Sequence, residues 1–249
     1  MITTAERIVA ERGLTAMSLR VVQQESGQRN KSAAQYHFGS RDGLIEAVLA
    51  TRMAAVNERR RAMLDSIEHP TAATRTTGDR AAADPTAADS TAADPTADDG
   101  VLRPLVEALV RPVAEQTVML PESCWARFVV QAGNDPGVAE VVRRRVEGEP
   151  YRELVERLVA AMSGVPERLR RLRVERSVGV VFASLAAGEL DRDVGAPDPL
   201  GLECRIEDLI DATVALLAAP PSGATLAALG SSHPAGPIDR APIRPSQPT

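Results

Sequence analysis

Apolar positions along this chain recur at spacings of three and four, in blocks closed by Gly or Pro, the pattern of helices that bury one face. Ile8 and Val9 mark the inner side of a first helix over 5–12, with Thr4 as its cap and Gly13 as a left-handed stop. Ser18 stands before LRVVQQES, where Leu19 and Val22 point inward and Gly27 ends the block. After GQRN, the stretch KSAAQYHF predicts a third short helix, and a fourth follows over 41–67. Further on, Leu105, Leu109, Val110 and Val113 predict one helix, and Trp125, Phe128, Val129 and Ala132 another before Gly133. The same reading gives helices over 138–146, around Leu154 to Met162, over 166–190 and over 203–218. No alternating pattern competes, so the predicted fold class is all-α.

Five regions follow: a head over 1–48, a connecting helix over 49–67, an insert over 68–100, a helical body over 101–219 and a tail over 220–249. The insert repeats Thr, Ala, Ala, Asp and then Pro or Ser, with no large apolar side chain in TAADPTAADSTAADPTADDG. Such a segment cannot bury enough surface to offset its conformational entropy, so it is expected to be disordered. The tail has seven prolines and no periodicity, and the same is expected of it.

Composition adds to this picture in two ways. Only six aromatics occur, so Ala and aliphatic residues supply most of the apolar content, which favours helix on helix. The net charge of −5 is uneven: residues 1–61 hold ten Arg or Lys against six Asp or Glu, a basic head on an acidic remainder. Cys124 and Cys204 fit neither a redox pair nor a zinc ligand set. The first residues lack the basic flank and apolar run of a signal peptide, and no segment is apolar long enough to span a bilayer, so a cytoplasmic protein with no membrane partner is expected.

Two short helices joined across a Gly-containing turn are what a helix-turn-helix needs, because the second must project to enter a major groove. Over about residues 4–50 the chain resembles the TetR family of transcriptional regulators. Ser18, Leu19, Arg20, Val22, Ser26 and Gly27 carry the first half of that likeness; Asn30, Lys31, Ala33, Tyr36, His37, Phe38, Gly39, Ser40, Arg41, Asp42 and Leu44 carry the second. The turn between Gly27 and Lys31 is one residue longer than the commonest family spacing, and Gln23 stands where Ala is usual. The resemblance implies an N-terminal three-helix DNA-binding domain, double-stranded operator DNA as partner, and a helical body that binds a small-molecule effector and forms a homodimer.

Lys31, Ser32 and Ala33 open the recognition helix, where short or flexible side chains approach base edges; Gln35 suits adenine and Lys31 guanine or phosphate. The resemblance gives Tyr36 and His37 to phosphates. Ser18, Arg20, Arg29, Ser40 and Arg41 complete the expected DNA-binding set, Ser40 by capping a helix whose first amides can hold a phosphate oxygen. Bland alternatives stand beside these: Phe38, and in part Tyr36, as core, and Lys31, Arg20 and Arg41 as a solvated face. In the body, Met119, Trp125, Phe128 and Phe182 are candidate pocket walls with Arg127 and Gln131 as polar handles, against the alternative that they are core. The helices over 166–190 and 203–218 are the candidates for the dimer interface. No nucleophile–base pair, Gly-rich phosphate loop or metal-ligand cluster is present in the sequence, so neither enzyme activity nor a cofactor is expected. The rival reading is a helical ligand-binding or interaction protein that keeps the helix-turn-helix scaffold without operator specificity.

Overall fold

In the first helix, α1 (Ile2–Arg12), Ala5, Glu6, Ile8 and Val9 are buried. It starts before the expected Thr4 cap: the Ala5 N–H already donates to the Met1 carbonyl at 2.9 Å, and Met1 and Ile2 pack against the core. Gly13 ends it with φ 82° and ψ 163°, an extended positive-φ conformation open to glycine rather than the expected left-handed helical stop. A 3₁₀ turn (Leu14–Ala16) leads to α2 (Leu19–Glu25), then α3 (Ala33–Phe38) and the 28-residue α4 (Arg41–Glu68). The computed structural model describes residues 1–27, 33–69 and 97–231. Arg29, Lys31 and Ser32, most of the Thr/Ala/Asp/Pro insert and the end of the tail lie outside the described residues.

The body consists of α5 (Ala97–Gln116), α6 (Trp125–Gly133), α7 (Ala139–Val146), α8 (Glu149–Ala161), α9 (Glu167–Asp193) and α10 (Leu202–Ala218). With the head they make one unit, Met1–Ala218, all-helical among the described residues. Helix α5 packs between α4 and α10, α9 lies against α6 and α10, and α1 rests on α6. The longest apolar side chains fill the centre, with Trp125, Phe128, Leu102, Leu154 and Leu158 fully buried. Arg103 and Arg111 of α5 pair with Asp211, Glu207 and Glu203 of α10, and Arg145 of α7 meets Glu46 of α4 at 2.8 Å. These pairs are largely exposed and fix orientation more than they stabilise.

Helix α5 takes in the last four residues of the stretch read as insert and runs through Pro104 and Pro112. Each proline lacks the N–H that would bond the carbonyl four residues back. Gly100 is exposed, where water can serve its carbonyl. Ala108 is fully buried, and there the side chain of Arg60 supplies the missing donor, Nε to the Ala108 carbonyl at 3.2 Å.

The second unit is Ala219–Thr249, and its described part is α11 (Gly223–Ser231). The sequence reading expected no element beyond residue 220. The reason for the helix is local: the Ser222 hydroxyl accepts from Thr225 N–H at 3.3 Å, and the Ala- and Leu-rich stretch that follows has high helix propensity while burying no residue.

Candidate nucleic-acid interface and effector groove

Helix α2 starts where the Ser18 hydroxyl accepts the Val21 N–H at 3.2 Å, and α4 starts where the Ser40 hydroxyl accepts the Gly43 N–H at 3.0 Å. Ser18 and Ser40 are thus capping residues, and Ser40 leaves the N–H groups of Arg41 and Asp42 at the exposed end of a 28-residue helix. Gly43 cannot carry a side chain, because a Cβ there would lie 2.1 Å from the Phe38 carbonyl oxygen. That close approach sets α3 directly over the start of α4.

In α3, Ala34 is buried and Phe38 half-buried, one helical turn apart, so the helix turns this edge inward. Gln35, Tyr36 and His37 face out, with Tyr36 85 % exposed and its ring set edge-on to His37 at 5.4 Å between centroids. Of the expected DNA-binding residues, Arg20, Gln35, Tyr36 and His37 are therefore exposed on α2 and α3. The backbone of Ala33 opens the described part of α3. The Gln35 amide donates to the Gly39 carbonyl at 2.6 Å, closing the end of α3. Arg41 is half-buried and donates through Nη2 to the Leu14 carbonyl at 2.9 Å, tying the start of α4 to the 3₁₀ turn.

The head is fastened to the rest by buried polar contacts. Glu6 of α1 is fully buried and receives Arg52 of α4 in a two-pronged ion pair, Nε to Oε1 and Nη2 to Oε2, both 2.8 Å. That bond raises the Arg52 guanidinium above its ordinary pKa. Gln131 of α6 donates to the Ala10 carbonyl at 3.3 Å.

The expected effector residues divide differently from the sequence reading. Trp125 and Phe128 are fully buried core, and Met119 is exposed. Arg127 is bound to Asp193 and the Cys124 thiol and approaches Glu189, and Gln131 serves α1. Among the six, Phe182 lines a groove of roughly 560 Å³ walled by α6, α7 and α9, with Trp125 packed edge-on behind it at 5.9 Å. Sequence reasoning missed Val129, Val130, Val142, Tyr151 and Val178 in that groove. Their spacing marks them as helix faces but does not distinguish a groove from a core.

Glu189 on α9 is buried, and its carboxylate caps α6 from outside, accepting the N–H groups of Ala126 at 3.1 Å and Arg127 at 3.0 Å and the Ser123 hydroxyl at 3.2 Å. Burial pushes its pKa up, and the backbone N–H bonds pull the other way. Among the described residues no group of three or more His, Cys, Asp and Glu could hold a metal ion, and no single helix is long and apolar enough to cross a membrane.

No protein-family model matches this chain, and no curated protein matches it significantly.

Proposed function

We propose that this protein is a DNA-binding transcriptional regulator of the TetR type, a ligand-responsive repressor that grips operator DNA as a cytoplasmic homodimer. The observation that carries the reading is the exposed run Gln35–Tyr36–His37 on α3, seated over the capped start of α4. In a chain with six aromatics, a tyrosine 85 % exposed has no core role, whereas a hydroxyl-bearing ring beside a helix start suits a phosphate oxygen. Lys31 and Ser32 precede it in sequence and supply candidate base contacts.

Dimerisation through α9 and α10 is supported by what these helices leave uncovered. On α9, Val180, Ser184, Ala187 and Leu190 are exposed at three- and four-residue spacing, as are Cys204, Asp208, Ala212 and Ala215 on α10. Small residues in such a row let a second pair of helices approach closely. Two recognition helices in successive major grooves would lie about 34–36 Å apart. An effector in the groove walled by α6 would favour whichever head spacing it binds better, releasing DNA if that spacing is wrong.

Footprinting on the DNA upstream of the protein's own gene tests the proposal. A protected, sequence-specific site whose affinity falls steeply with salt is expected. Replacing Lys31 and Tyr36 by Ala should weaken that site at least about ten-fold while leaving the melting temperature unchanged, since Tyr36 is solvent-facing. Equal affinity for unrelated DNA, or indifference to the double substitution, would favour the rival interaction protein that keeps the scaffold alone.

A further inference from the structure

Arg60 is 2 % exposed, and on α4 it occupies the stripe on which Leu49, Met53, Val56 and Leu64 are buried. Its Nε donates to the Ala108 carbonyl and its Nη1 to Asn57 Oδ1, each at 3.2 Å, and its guanidinium lies 5.7 Å from the centre of the Tyr151 ring. All three partners are neutral, and among the described residues no carboxylate forms an ion pair with it. Burial lowers its pKa to about 10, which still leaves it protonated at neutral pH. The proline at 112 explains the bond to Ala108, but any neutral donor would serve that carbonyl. The bond accounts for a donor and not for a buried, uncompensated charge.

The same guanidinium lies one layer of side chains beneath the groove. Val146, Tyr151, Val178 and Phe182 line the groove on one side and, on the other, enclose with Arg60 a void of about 10 Å³. We infer that the groove binds a small apolar carboxylate, its hydrocarbon part against the valines and its carboxylate drawn past Tyr151 to Arg60. The void is too small for a carboxylate as it stands, so the Tyr151 ring turns aside on binding. That exchanges a cation–π contact for charge-assisted hydrogen bonds, the stronger interaction for a desolvated guanidinium.

The charges at the groove's mouth are Arg143, Glu147 and Glu175. Arg143 pairs with Glu147 at 3.0 Å, and water and salt screen these outer groups far more than they screen Arg60. The buried charge therefore decides the sign of the ligand.

The inference rests on the effector reading of the groove but is tested without DNA, so failure of operator binding leaves its result standing. Decanoate, decanol and decylamine are titrated into the full-length protein and followed by calorimetry and by the fluorescence of Trp125, the sole tryptophan, which touches Phe182 on the groove wall. Decanoate should bind at least about ten-fold tighter than decanol or decylamine and perturb Trp125. Arg60→Gln, which keeps a donor for Ala108 and loses the charge, should weaken decanoate at least about ten-fold and leave decanol unchanged; Arg60→Lys should retain most of the preference. Equal binding of decanoate and decanol, tighter binding of decylamine, binding of none of the three, or decanoate affinity indifferent to Arg60→Gln would each overturn it. The comparison of the three probes on the unaltered protein stands even if a variant fails to fold.

Discussion

Glu189 occupies a position on α9 that its neighbours Phe182 and Leu185 would suit to an aliphatic side chain. Instead it caps the start of α6, which has no side-chain cap of its own, at the cost of burying a carboxylate. Since burial is the largest influence and raises its pKa, the folded state holds the proton more tightly than the unfolded chain does. The stability this contributes is complete below the ordinary Glu value of about 4.5 and is lost as pH rises through the folded pKa. In urea melts, wild type should therefore gain on Glu189→Gln as pH falls from 7 towards 4.5; a difference constant with pH would refute the raised value. The sequence reading singled out neither Glu189 nor Arg60, although each is a charged residue in the register of a stripe that the structure buries. The sequence reading left Trp125 and Phe128 between pocket wall and core, since large, scarce aromatics suit either. Those properties equally make them the side chains with most area to bury, and that is where the fold puts them.

Helices were readable wherever a 3.6-residue period runs long enough to bury a face, as in α9 and α10, whose ends fall within a few residues of expectation. What periodicity could not supply was the start of α5, which Pro104 and Pro112 obscure, and α11, which buries no residue and so leaves no apolar stripe. A proline inside α5 is tolerated because a second helix repairs it: Arg60 of α4 donates where Pro112 cannot. Arg60→Met should leave the buried Ala108 carbonyl unsatisfied, an effect of about 1–3 kcal/mol that removal of an uncompensated charge partly offsets. Pro112→Ala restores the helix's own N–H, so the methionine substitution should be tolerated better in that background, with a coupling of about 1 kcal/mol in a double-mutant cycle from denaturant melts. Independent effects would mean that the bond between α4 and α5 carries no net energy.

At the scale of the whole molecule, the uncovered face of α9 and α10 makes the proposed assembly testable apart from DNA. Ala187→Arg places a long charged side chain in that uncovered row, and sedimentation should then show a monomer where the unaltered protein shows a dimer. An unchanged mass would move the interface elsewhere. Packing runs across the sequence division at residue 48. Glu6 finds its buried partner at Arg52, and Ala10 receives its bond from Gln131, so the head is bonded to chain that such a cut would remove. Excising residues 1–48 would leave Glu6 without its counter-charge and strip α6 from α1. Residues 1–48 are consequently a poor piece to graft onto another protein, and a chimaera that is to fold must take its seam beyond Arg52 and carry a surrogate for α6.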